Sequence, residues 1–412
     1  MSVENELNIK DLLARRTGTS AQDWYLVSKA RYGMQVAFTQ LYRTLGAGEV
    51  VTQLFTCATA VNPIVVSGFT PVYGEVSDSN ISLDAHKLPL TQDTRAVVIQ
   101  HTFGIVDSQN AQLIADRARL AGAVVIEDSA HCVAKMARDD LGQPIADVSI
   151  HSFGAEKVLP TKFGGAIWVN PKFSHAQSPA IREQLVNALS ALPAPTAKTE
   201  FAMRTYRTQL RVLSRIPGKV GSSLRTQLAR LGVFEPPIVP SETCGQQPQQ
   251  PAKISQFAAN AAFENLRSLD KFEQQRAAAV EVYVRELADV IQLPSSLVTS
   301  QTPLQGAPEG TGGTPSHSTS LVRMPFFVPS HLDAESVFAH LARNNVRPGR
   351  WYRPVLFPGA QDNSVYHYVP GAPEHLATES LVARVVNLPT DVSPQEASRI
   401  AGVVREALAQ LA

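Results

Sequence analysis

Val125-Ile126-Glu127-Asp128-Ser129-Ala130-His131 is an apolar run that closes on two carboxylates. It reads as a buried strand that delivers Asp128 to its carboxyl end. Further along comes Ser152-Phe153-Gly154-Ala155-Glu156-Lys157, then Lys162-Phe163-Gly164-Gly165-Ala166. There a strand ends in a hydroxyl, a lysine follows five positions later, and a Gly-Gly turn leads into another strand. Outward from this pair, β-like runs occupy residues 50–55, 70–73, 96–101, 123–127, 148–153 and 166–169. Val36, Leu41, Tyr42 and Leu45 recur at helical spacing, with Gly46 as a stop, and Leu113, Ile114, Ala118 and Ala121 mark a second helix. Strands alternating with helices predict an α/β protein, its mostly parallel sheet sandwiched by helices. Ligands bind such sheets at the carboxyl ends of strands, so the site is expected just after Glu127 and Phe153.

The whole chain agrees with that frame. Its 412 residues are 44% hydrophobic, which at roughly 100–200 residues per domain suggests two domains or one with an appendage. Lys and Arg total 37 against 36 Asp and Glu, a net charge of +1 that argues against nucleic acid as the main partner. No apolar run is long enough for a membrane span, and residues 1–10 lack the pattern of a signal peptide. Three scattered cysteines, Cys57, Cys132 and Cys244, predict no metal site or disulfide framework and suit a reducing cytoplasm.

After residue 170 the pattern changes. A helical stretch at 201–216 carries Arg204, Arg207, Arg211 and Arg215, three or four apart, as a solvated basic face or a pyrophosphate clamp. Residues 235–251 are rich in Pro and Gln and read as a linker or surface loop. One long helix is expected over 255–287, a mobile loop over 295–320, a strand at 321–328, and helices at 334–344 and 394–411. The division expected is a large domain over 1–253, with an insert at about 171–253, and a small α+β domain over 254–412.

An Asp at one strand end and a Lys after a later one suit pyridoxal phosphate. The carboxylate would keep the pyridine nitrogen protonated, so the ring acts as an electron sink, and the lysine would form the Schiff base and move protons. Taken singly, such an Asp is usually a turn former and such a Lys a solvated charge. Their order along the chain, with Ser152 and the Gly-Gly turn between them, favours the cofactor.

These residues resemble the DegT/DnrJ/EryC1/StrS sugar aminotransferases, of pyridoxal-phosphate fold type I. The resemblance takes in Phe55-Thr56, His101-Thr102-Phe103-Gly104, Glu127 to His131, Ser152 to Lys157, Lys253-Ile254-Ser255-Gln256 and Trp351-Tyr352-Arg353-Pro354. It implies a large PLP-transferase domain and a small C-terminal domain. By that resemblance Lys157 is the aldimine lysine and Asp128 the partner of the pyridine nitrogen. His131 stands where the family usually has Gln, near the phenolic oxygen, and Ser152 resembles the phosphate-binding hydroxyl. Gly33, Met34 and Gln35 occupy the family's phosphate turn, where an ordinary helix start is the alternative. His101, Tyr352 and Arg353 are the substrate-binding candidates.

Several positions depart from the family pattern. Cys57 stands where an aromatic ring often stacks on the cofactor, and is otherwise a small buried hydrophobe. Pro251 falls where an asparagine usually reaches the neighbouring subunit's phosphate. Lys162 and Phe163 replace the usual pair before Gly164-Gly165, and residues 171–253 are longer than in typical members.

The resemblance implies a PLP-dependent aminotransferase in the cytoplasm, a homodimer. It would pass an amino group from glutamate to a keto-sugar, expected to be nucleotide-linked, through a Lys157 internal aldimine. The alternatives are sugar dehydration, against which Lys157 counts because family dehydratases carry His there, and a non-catalytic relic with a binding role.

Overall fold

In the computed structural model, residues 3–173, 178–216, 218–236, 238–299 and 319–411 are described. The chain opens with α1 (Val3–Thr17), β1 (Trp24–Val27), α2 (Ala30–Leu45), β2 (Glu49–Gln53), α3 (Ala58–Val66) and β3 (Thr70–Gly74). It continues with β4 (Thr94–Gln100), α4 (Ser108–Leu120), β5 (Val124–Ser129), β6 (Val148–Ser152) and β7 (Gly165–Val169). The insert supplies α5 (Ser178–Ser190), α6 (Ala197–Leu213) and α7 (Gly218–Arg230). The remainder is α8 (Gln256–Arg267), α9 (Leu269–Leu287), α10 (Ser295–Thr299), β8 (Arg323–Phe327), α11 (Ala334–Arg343), α12 (Leu376–Arg384), β9 (Val385–Pro389) and α13 (Pro394–Leu411).

Seven strands form one sheet in the order β1-β7-β6-β5-β4-β2-β3. The neighbours from β6 through β3 pair in parallel, and β7 pairs antiparallel with both β1 and β6. The mostly parallel sheet is therefore borne out, with β7 as the exception. Strands β5, β6 and β7 are buried along their whole length, as expected where helices cover both faces. Their carboxyl ends are polar nonetheless. Gln53, Gln100, Glu127-Asp128-Ser129 and His151-Ser152 are all buried at or beside strand ends. Buried polar groups need partners, so this edge of the sheet is where a network or a ligand must sit.

Gly33 allows α2 to lie close on the sheet. A Cβ added there would come within 2.2 Å of Ile167 Cδ1 and 3.2 Å of Val27 Cγ2. Gly46 ends the same helix at a φ of 76°, a left-handed position that glycine takes without strain.

A two-stranded antiparallel sheet, β8 with β9, lies against α11, which packs on α13 as α9 does, and its buried residues continue the core that also holds residues of α1, β1 and α8. Sheet and helices give the C-terminal part the α+β make-up expected from the sequence. The single helix expected over 255–287 is two helices, divided at Ser268, whose φ and ψ are −105° and 9°. Helix α8 packs back on α1 and α6, while α9 runs to the small sheet beside α13. Of the loop expected over 295–320, residues 300–318 lie outside the described residues, and 295–299 form α10.

Candidate active site

At the carboxyl edge of the sheet one cavity collects residues from β4, β5 and β6, the head of α2 and the small domain. Asp128, His131, Ser152, Lys157, Met34 and Cys57 all line it, as do His101 and Tyr352. Gly33, Gln35 and Arg353 are not among the lining residues. Gly33 is held against Ile167, as described, and Gln35 lies beyond the cavity wall. The substituted turn therefore meets the cavity through Met34 and through the helix's first residues, Lys29, Ala30 and Arg31. Arg353 Nη1 instead pairs with Glu335 at 2.6 Å. Arg204, Arg207 and Arg211 of α6, and Arg215 just beyond its end, are exposed and do not line the cavity, which matches the solvated-face reading.

Asp128 is buried, and its Oδ1 accepts the Ala130 N–H at 3.0 Å. Burial pushes its carboxyl up, against the Ala130 hydrogen bond and the charges of Lys157 and His101. Lys157 follows Glu156, whose φ is 60°, a left-handed turn at the cavity edge. It keeps part of its surface open to the cavity, while its amine lies 4.9 Å from the Trp351 ring centroid. Burial pulls its pKa down, and Asp128 opposes that shift. A lysine so placed is drawn toward the range where it can lose and regain a proton.

Trp351 is stacked on His131, with centroids 5.0 Å apart and planes 15° apart. It lines the same cavity as Cys57, so an aromatic face comes from the small domain where the Cys57 position lacks one. Cys57 itself caps α3 and lies 3.0 Å from the Thr59 hydroxyl. It stands on the cavity wall, half-buried, rather than in the core.

Under the site runs a buried polar chain. Glu127 Oε1 is 2.7 Å from His101 Nε2 and accepts the Ala137 N–H at 2.6 Å. Its Oε2 accepts the Ser149 hydroxyl at 2.5 Å, and Ser149 lies 3.0 Å from His151 Nε2. His151 Nδ1 accepts the Ala134 N–H at 3.2 Å, which places its one proton on Nε2. Burial alone would raise Glu127, but the hydrogen bond and charge of His101, with Ser149 and Ala137, hold it below the usual carboxylate range. Burial lowers His151 from 6.5 to about 4.

Acid should therefore destabilise the fold early. The unfolded chain binds the His151 proton below about pH 6.5, the folded chain only below about 4, so stability falls as pH drops through that window. The loss expected from this histidine is about 3 kcal/mol once the window is crossed. Glu127 adds a further loss as pH falls through its depressed folded value. Urea midpoints measured above and within the window check this, and a flat profile would contradict it.

Sequence reasoning missed part of the lining. Lys29 pairs with Glu235, and Arg31 with Glu242 at 2.7 Å, both carboxylates belonging to the insert. Pro236 and Ile238 of the insert line the cavity too. Thr56 donates to Gln100, which lines the cavity at the end of β4. Gln100 carried the same signal as Asp128, a polar residue closing an apolar run. Nothing local marked the insert residues, whose partners lie about two hundred positions away in the chain.

The lining fits a phosphorylated pyridine ring on chemical grounds. It offers a buried carboxylate, a desolvated lysine and an aromatic face. Ser152 Oγ accepts the Gly154 N–H at 3.2 Å and keeps its own proton to donate. No side chain caps the head of α2, where a helix N-terminus favours an anion. Among the described residues no group of three or more His, Cys, Asp or Glu could hold a metal ion.

Residues 27–187 match the model of the DegT/DnrJ/EryC1/StrS aminotransferase family, which bears out the resemblance drawn from the motifs. The spore coat polysaccharide biosynthesis protein SpsC of Bacillus subtilis is 33% identical over 126 residues, 30% of this chain and 32% of its own length. The dTDP-4-amino-4,6-dideoxy-D-glucose transaminase of Shigella dysenteriae is 31% identical over 142 residues, 33% of this chain and 38% of its own. The chain thus spans about a third of the length of these curated relatives. The solved structure of DesI, determined in the presence of its TDP-sugar product, covers 99% of this chain and 86% of its own at 19% identity and a TM-score of 0.66. The aminotransferase TlmJ of Streptoalloteichus hindustanus covers 99% of this chain and 91% of its own at 21% identity and a TM-score of 0.64, and the chain has the fold of these two structures.

Proposed function

We propose that the protein is a pyridoxal-phosphate-dependent aminotransferase that passes an amino group from an amino-acid donor to a nucleotide-linked keto-sugar. One observation carries the reading: Asp128 and Lys157, from two different strand ends, face one cavity, with the lysine desolvated beside the carboxylate. When bound, the cofactor would supply an electron sink for the carbon that gains or loses a proton. Asp128 would hold the ring nitrogen in its protonated form. Ser152 and the head of α2 would anchor the phosphate, and Trp351 would offer a face to the ring. Lys157 would take the proton from the donor's α-carbon and return one at the sugar carbon, work that suits an amine tuned toward neutrality.

Glutamate as donor, the homodimer and the cytoplasm belong to the same proposal, supported by the family match and by three free cysteines. No helix among the described residues is long and apolar enough to cross a membrane. We likewise keep the division into a large domain to about Lys253, with its insert, and a small domain beyond, with α8 packing back on α1.

Holo-protein given glutamate should lose its visible cofactor band and release 2-oxoglutarate, and a dTDP- or GDP-linked keto-sugar should then restore the band. Bleaching without restoration by any keto-sugar would move the acceptor to another class. A stable band that no amino acid bleaches would favour the non-catalytic reading. Dehydration is disfavoured by Lys157, which stands where family dehydratases carry His.

A further inference from the structure

His131 has no free nitrogen. Its Nδ1 accepts the Phe103 N–H at 2.9 Å, and its Nε2 lies 2.7 Å from the Tyr352 hydroxyl. Only an unprotonated ring nitrogen can accept an N–H, so the network assigns the single proton of the neutral imidazole to Nε2. That proton goes to Tyr352 Oη. The proton of Tyr352 itself is then left pointing away from His131, and no other hydrogen bond to this hydroxyl occurs among the described residues.

The ring of Tyr352 is fixed from several sides. It packs edge-on to Phe55, 6.0 Å away, and to Phe357, 6.3 Å away, and it is buried. Phe103 lies tilted beside it at 6.0 Å. The titratable groups that face it are His131, Asp128 and Cys57. Burial drives Tyr352 upward and His131 downward, so one keeps its phenolic proton and the other stays uncharged. A rigid, unspent O–H donor thus lines the cavity that holds Asp128 and Lys157.

We infer that Tyr352, oriented by His131, is the hydrogen-bond donor to the phenolic oxygen of the bound cofactor, and that His131 is a positioning residue without direct contact. The inference rests on the cofactor reading given above. It reverses the role suggested by the motif, in which the residue at His131 meets that oxygen. The Tyr352 position comes from the C-terminal part of the chain, so the donor arrives only when that part has packed against Phe55 and Phe103.

A donor on the phenolic oxygen spreads its negative charge. The nitrogen joining Lys157 to the cofactor then holds its proton less tightly, and removing the donor tightens that hold. The test is the pH midpoint of the visible cofactor band in protein reconstituted with pyridoxal phosphate. Tyr352→Phe should move the midpoint upward by about one pH unit or more. His131→Ala should move it in the same direction by no more than that, and the double variant should match Tyr352→Phe alone. His131→Gln can still accept one N–H and donate another, so it should restore most of the wild-type midpoint, and it serves if the alanine variant misfolds. An unmoved midpoint in Tyr352→Phe overturns the inference while leaving the cofactor reading intact. Additive shifts from the two single variants overturn it too, because His131 would then act on its own. Absence of the band in the wild type overturns the cofactor reading and this role together.

Discussion

Replacing Lys157 with alanine should leave a folded protein with at least about a thousandfold lower amine transfer. The amine is the group placed to join the cofactor and to move the proton; of the other lysines in the lining, Lys29 is paired with Glu235 and Lys162 lies five positions further along the chain. Its loss should also abolish the pH-dependent visible band, because the cofactor could still bind but not be joined to the chain. Stability should change little. The side chain remains partly open to the cavity and makes no hydrogen bond among the described residues, so its removal leaves no broken hydrogen-bonded pair. One electrostatic effect follows: Asp128 loses a neighbouring positive charge, so its carboxyl should rise further above its ordinary range. Steady-state transfer assays, absorbance and thermal melts check these points together. Activity within tenfold of wild type would dismiss Lys157 as the reacting amine.

Asp128→Asn should cost about a hundred- to a thousandfold in turnover. The substitution keeps the shape, and the amide oxygen can still accept the Ala130 N–H. What disappears is the negative charge that would keep a pyridine nitrogen protonated. The effect should fall mainly on kcat, since the phosphate end of the ligand is held elsewhere, by Ser152 and the head of α2. Burial strengthens the argument. A carboxylate raised by desolvation gains most from a cationic partner at close range, and a protonated ring nitrogen would be that partner. Wild-type turnover in the asparagine variant would show that the carboxylate serves only to shape the turn at Ala130.

Much of this site could be read from local sequence, for a physical reason. Buried parallel strands are continuous apolar runs, and a polar residue that ends one must lie at the sheet's carboxyl edge. Asp128, Ser152 and, five residues on, Lys157 follow that rule, as does Gln100, which went unread. Strand β1 escaped because four residues, Trp24 to Val27, are too short to show a period. The break at Ser268 escaped because the apolar spacing of α8 and α9 continues across it. The contributions of Lys29, Arg31, Pro236 and Ile238 are set by tertiary packing of the insert, and no local pattern encodes them. The tautomer of His131 is of the same kind, decided by Phe103 and Tyr352, which approach from opposite directions in the chain.

The pairing of Lys29 with Glu235 and Arg31 with Glu242 has a consequence for how the protein would select an anion. Two cations at the head of α2 are matched by two carboxylates before any ligand arrives, so the phosphate end of the cavity gains no local surplus of charge from these four groups. Long-range attraction would therefore contribute little to capture. Recognition would rest on short-range geometry, in which the hydroxyl of Ser152 and the helix's backbone amides meet a phosphate only when it is already in place. A chain whose overall charge is +1 thus repeats its neutrality among the charged pairs at the head of α2.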